Sequence, residues 1–179
     1  LYCGLSTSRH RYYLGVGLLI TMGFSVVDPL LASDVYPIAW AVRFGVLLPI
    51  LIVQLLLSFQ SFYPKVEAMF STVSVCCGAG TLVLLMKISH SPLVIHYHGM
   101  LLVLIVYGNV MTRVRFWHSF AWTAVVLLAY FFNIGGTVVP DSVGDYYLGL
   151  ITIACLVGLL ANYQIEYQSR LDFLHTLLL

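Results

Sequence analysis

Long apolar stretches, broken by single charged residues, set the pattern of this chain. The intervals free of Asp, Glu, Lys and Arg are 12–27, 44–64, 68–86, 88–112, 116–140 and 146–165. A helix needs about 20 mostly apolar residues to cross the hydrocarbon of a bilayer. The pattern therefore predicts an all-α membrane protein, a six-transmembrane-helix bundle with spans near 12–27, 44–64, 68–86, 92–112, 117–134 and 146–165. The first interval is short and borrows from its flanks. The last does not stop at its polar end. YYLGLITIACLVGLLANYQI runs on into YQSRLDFLHTLLL, which predicts a cytoplasmic exit helix over 166–179.

Small and polar residues qualify this pattern. Gly15, Gly17 and Gly23 in the first span, and GAG at 78–80 in the third, predict close helix approach. The connection VVDPLLASDVYPIAW carries two prolines and is expected at the outer surface, with a short interfacial helix; Tyr36 and Trp40 suit the headgroup belt. Pro49 is expected to bend the second span. Gln54, Asn109, Asn133 and Asn162 are polar groups at depth, expected to bond between helices for about 0.6 kcal/mol each. Cys3, Cys76, Cys77 and Cys155 read as small packing residues, and no disulfide is expected.

The exit helix has a stripe of its own. Leu160, Gln164, Tyr167, Leu171, Leu174 and Leu178 recur at spacings of four, three, four, three and four. That is the a/d seam of a coiled coil, and it predicts a homodimer through helix six and the exit helix. Glu166 and Arg170 add an i,i+4 pair in the favourable order. The competing reading is a helix lying on the lipid surface, held by Phe173 and the leucines.

Composition agrees with a membrane chain. The 179 residues are 61% hydrophobic and 8% charged, against about 25% charge in soluble domains. Mean hydropathy is +0.98. A net charge of +1 gives no reason to expect nucleic acid as a partner. Basic residues choose the side. With the N-terminus inside, Arg9, Arg11, Lys65, Arg113, Arg115 and Arg170 fall inside, and Arg43 and Lys87 fall outside. The expectation is a bacterial inner-membrane protein with both termini cytoplasmic. The start at Leu1 and the end at Leu179 suggest a segment of something longer, and no cleavable signal is evident.

Histidine is the informative residue type. His90, His96 and His98 gather at the outer ends of spans three and four; His10 and His118 sit at the inner starts of spans one and five; His175 lies in the exit helix. Ionisable groups at membrane depth are functional hypotheses by default. Three readings of the outer cluster stay open: interfacial histidines bonded to neighbours or headgroups, a ligand- or proton-sensing pocket with Asp28, Asp34 or Arg43 as counter-charges, and metal or haem ligation. Haem b would draw its axial ligands from His98, His90, His10 and His118. His98 is the deepest of them. With Ile105, Asn109 and Thr112 it forms a seam on one face of span four.

A six-helix module ending in NYQIEYQSRLDFLHTLLL, with YGNVMTRVRFWHS at the inner end of span four, resembles the membrane anchors of bacterial class III adenylate cyclases. Similar modules precede diguanylate cyclase domains and some histidine kinases. The resemblance implies a sensor anchor that acts on a cytoplasmic nucleotide cyclase, and thus on cAMP signalling. A subset of such anchors holds two haems and responds to quinone, so a lipophilic ligand or quinone becomes a candidate input. The two metal-binding aspartates of a class III cyclase are not supplied by Glu67, Glu166 and Asp172, so this segment is not expected to be catalytic. A small transporter is the main rival. Against it, no acidic residue is expected at mid-depth, and no inverted repeat is visible. Neither GxSG nor HExxH occurs, which argues against intramembrane proteolysis.

Overall fold

The computed structural model describes the backbone of residues 2–112, 115–134 and 141–178. Every element in it is helical. The chain makes six rods: α1 (Tyr2–Leu31), α2 (Tyr36–Leu57), α3 (Tyr63–Ile88), α4 (Pro92–Met111), α5 (Phe116–Ile134) and α6 (Asp141–Leu178). Five of them, all but α5, are long and apolar enough to cross a membrane. In α5, 19 residues long, Trp117, His118, Ser119, Trp122, Thr123 and Asn133 dilute the apolar content. The segment at 135–140, read from sequence as a polar outer loop, and Arg113 lie outside the described residues.

α1, α2, α3 and α6 begin before the apolar intervals read from sequence, and at α2 and α3 the reason is proline placement. Pro37 and Pro64 occupy the first turns of α2 and α3. There a missing N–H costs nothing, because the first turn has no partner for it. The expected interfacial helix in the first connection is therefore absent; those residues are the opening turns of α2, and the connection shrinks to 32–35. Pro29 lies inside the last turns of α1. Its ring leaves the Ser25 carbonyl without the usual acceptor role four residues back. That carbonyl takes the Trp40 indole N–H instead, at 2.9 Å. Pro49 does not end α2. It follows a π-turn at Arg43–Leu47 that absorbs the irregularity.

α3 is the central rod, with more than half of its most apolar stretch buried. α3, α5, α6 and α4 close a four-helix ring, and the α1/α2 hairpin lies against its α3–α4 side. The core of the ring joins Val75, Leu82, Leu101, Ile105, Trp122, Val126 and Ile151. The pattern of a soluble protein is inverted. Val26, Leu19 and Phe132 are more than 70% exposed, while Asp28, Gln54 and Asn109 are fully buried. An apolar exterior around a polar-bearing interior is compatible with lipid as the surrounding solvent.

Glycines set the closest approaches, though not all those expected from sequence. A Cβ on Gly78 would lie 3.2 Å from Leu104, whereas Gly15, Gly23 and Gly80 have open space around them. Gly17 makes room for the Tyr107 hydroxyl, which donates to the Tyr13 carbonyl at 2.8 Å. Two contacts were not evident from spacing: Gly108 under Trp122 and Gly158 under Asn109. A methyl at Gly108 would meet the Trp122 ring at 2.8 Å and Val75 at 3.0 Å. Gly108→Ala is expected to destabilise the bundle by about 1–3 kcal/mol, as overpacking does, while Gly80→Ala is expected to be neutral. Thermal unfolding in detergent distinguishes the two.

Candidate functional site

His98, on the second turn of α4, is buried against α5 and α6. Its ring lies 4.5 Å from the Tyr147 ring and meets the Tyr130 ring edge-on at 5.7 Å. Nδ1 is 2.9 Å from the Ile95 carbonyl. A carbonyl can only accept, so Nδ1 carries the proton and Nε2 presents its lone pair to the interior. Among the described residues, neither His98 Nε2 nor the Tyr130 hydroxyl has a hydrogen-bond partner, and both are buried. The ring is thus held as an acceptor towards a hydroxyl, or as a nitrogen ligand.

The other outer histidines do not join it. The side chains of His90 and His96 are exposed. His90 contributes its backbone N–H, which donates to Asp34 at 2.7 Å, beside the Ser89 hydroxyl at 2.8 Å. The carboxylate of Asp34 so clasps the α1–α2 turn to the α3–α4 turn. The His90 amide, ahead of Ser89, holds that carboxyl below its ordinary range. A depressed carboxylate contributes stability at neutral pH and loses it as pH falls through the folded value.

Asp28 and Arg43 pair with each other, not with a histidine. The sequence placed both in outer loops; the longer α1 and α2 carry them inside. Arg43 Nη2 donates to Asp28 Oδ1 at 3.0 Å and Nε lies 2.9 Å from Oδ2. The Tyr97 hydroxyl from α4 also donates to Oδ1, at 2.8 Å. Neither partner is more than 2% exposed. An acidic residue therefore does lie inside a span, but in the last turn of α1 and not at mid-depth. It is fully neutralised where it sits.

At the opposite end a second polar chain crosses three helices. His10 on α1 bridges Glu67 at 3.0 Å and the Tyr63 hydroxyl at 2.7 Å, both on α3. Gln54 on α2 donates to Tyr63 at 3.1 Å and to Ser71 at 2.9 Å, and accepts from Ser74 at 3.0 Å. Above this chain lies a cavity of about 40 Å³ walled by Leu14, Leu47, Leu51, Gly78 and Leu104. That is room for about three waters, far below a quinone. Both ring nitrogens of His10 are engaged, and the His118 side chain is exposed. Of the four haem candidates, only His98 has a buried nitrogen free of protein partners. No group of three or more His, Cys, Asp or Glu among the described residues is placed to hold a metal ion.

The seam read on span four is present. His98, Ile105, Asn109 and Thr112 are all buried. A π-turn at Tyr107–Met111 turns the Asn109 carbonyl outwards, where Asn162 of α6 donates to it at 3.0 Å. The Asn109 amide reaches the Thr123 hydroxyl of α5 at 3.4 Å. Asn109 is thus a bond between helices, as is Gln54. Asn133 is not; its amide returns to the Ala129 carbonyl of its own helix. Tyr63, Tyr97, Tyr130 and Tyr147 were missed from sequence. The available signal was a tyrosine at a span end within reach of Asp or His, which reads equally as an interfacial aromatic.

Removing one member of the buried pair leaves the other charged and unpaired, a cost of about 3–5 kcal/mol. Arg43→Leu is expected to unfold in detergent at markedly lower temperature than the parent, and Asp28→Asn with Arg43→Leu is expected to recover most of the loss. A double variant no better than the single would remove the pair from the explanation. Comparison with family models, with curated proteins and with solved structures yields no match to this chain.

Proposed function

We propose that the chain is a membrane sensor and dimerisation anchor of a bacterial inner membrane, with six spans and both termini cytoplasmic. On this reading it regulates a cytoplasmic nucleotide cyclase of class III, acting in cAMP signalling. α5 is the sixth span: about 28 Å of helix at 1.5 Å per residue, flanked along its length by α3 and α6. The observation that carries the reading is α6, an unbroken helix of 38 residues. At 1.5 Å per residue it is about 57 Å long, nearly twice a hydrocarbon core of about 30 Å. Whatever displaces its bundle end displaces its far end too.

The bundle grips α6 at two levels. The Tyr147 ring lies tilted against His98 at one, and Asn162 bonds the Asn109 backbone at the other. Each level takes residues from α4 and from α6, with Tyr130 or Thr123 of α5 beside them. A lipophilic ligand or quinone that engaged His98 would press on Tyr147 and so on α6. Coupling of this kind is typically about 1–3 kcal/mol. On the stripe predicted for a dimer seam, Leu160, Gln164, Tyr167 and Leu174 are exposed and Leu171 is half-buried; the Leu178 side chain lies outside the described residues. A diguanylate cyclase or histidine kinase would be driven through the same helix; the resemblance in NYQIEYQSRLDFLHTLLL favours the adenylate cyclase.

Cysteines at Leu171 and Leu174 are expected to crosslink between copies far faster than a cysteine at Gln168. Equal rates at all three positions would defeat the seam. His98→Ala in the protein carrying its output domain is expected to change the regulation of nucleotide production while leaving that crosslinking intact. Unaltered regulation would move the sensing site elsewhere.

A further inference from the structure

Where α6 leaves the bundle, a groove of about 310 Å³ opens between its flank and the start of α5. Phe116 and Tyr163 form its floor, their rings edge-to-face at 5.8 Å. Tyr163 and Tyr167, one turn apart, stand stacked at 15°. Trp117 forms the far wall and is 75% exposed. Apolar and amphipathic rings at the end of a span suit the boundary between acyl chains and headgroups.

Charge decides what the groove can take. Its single carboxylate, Glu166, is already committed: it accepts the Phe116 backbone N–H at 2.7 Å and pairs with Arg170. The Arg170 side chain is 74% exposed. Arg115, the residue before Phe116, is exposed as well, and its charge reaches Glu166. Two guanidiniums thus stand open around one satisfied acid, and a guanidinium is suited to phosphate.

We propose that this groove binds the headgroup of an anionic phospholipid, with the phosphate drawn to Arg170 and Arg115 and the glycerol end against Trp117. Arg170 lies on the exit helix, while Glu166 ties that helix to the start of α5. A phosphate that competes for Arg170 loosens its pairing with Glu166, so lipid charge acts at the point where α6 leaves the bundle. The groove is centred roughly 70° around the helix from the dimer stripe, at 100° per residue. It shares only Tyr167 with that stripe, so lipid and a second copy can be held together. The proposal is independent of what the exit helix drives.

The test uses the whole chain in nanodiscs that contain brominated phosphatidylglycerol or brominated phosphatidylcholine at equal fraction. The Trp117 contribution to quenching is obtained by difference from Trp117→Phe, a change at an exposed ring. Quenching by the anionic lipid is expected to exceed that by the zwitterionic lipid, with an affinity ratio of about fivefold per guanidinium, since each basic side chain near a surface contributes about 1 kcal/mol. Arg170→Gln with Arg115→Gln should abolish the preference, and Arg170→Lys should keep part of it. Equal quenching by both lipids, or a preference that survives the double change, overturns the proposal. So does Trp117 becoming inaccessible to both lipids as the chain is loaded at two copies per disc, which would make the groove an interface between copies.

Discussion

Arg43 reaches Asp28 across the first hairpin, and Tyr97 reaches the same carboxylate from α4. A hairpin and a helix far from it in sequence are held by one charge that has no water to turn to. In an apolar surround the association of helices gains little from burying more hydrocarbon, so polar contacts and close packing fix which helices meet and in what register. The same logic operates at the opposite end, where Gln54 collects Tyr63, Ser71 and Ser74, and His10 ties that group to α1. Between the two ends the interior is mainly apolar, broken by the cavity beside Gly78.

The helices themselves were largely legible in the sequence, because a run without charge is a direct statement about where hydrocarbon can lie. The helices α4 and α5 fall within a residue or two of 92–112 and 117–134, and the uninterrupted last helix was visible as an absence of breakers. The misplaced ends share one cause. Charged and proline residues were treated as boundaries, whereas Asp28 and Arg43 satisfy each other inside, and Pro29, Pro37 and Pro64 sit where a missing N–H is harmless or is compensated. Pairing of that kind is a property of two distant residues and leaves no mark on either one alone.

The candidate site was legible in part for a similar reason. His98 and Asn109 could be placed on one inward face from the period of a helix. Which aromatic rings would cover His98 depended on the order of packing of α4, α5 and α6, which no local pattern encodes. Gly108 and Gly158 were overlooked because they stand alone; the paired and clustered glycines drew attention, yet several of those face open space. The exposed outer histidines, by contrast, show that a cluster along the chain need not be a cluster in space.

Gly158 carries a mechanical consequence. It lies where the Asn109 side chain presses against α6, leaving no room there for even a methyl group. Were α6 to turn about its own axis, Val157 or Leu159 would be driven into Asn109. Axial rotation is therefore blocked by sterics at this level, while a rocking motion is not. Asn162 and Glu166 hold the next two turns to α4 and α5, so the free arm of α6 begins beyond Glu166. On the sensor reading proposed above, what this contact leaves α6 to pass on is lateral displacement and not torque.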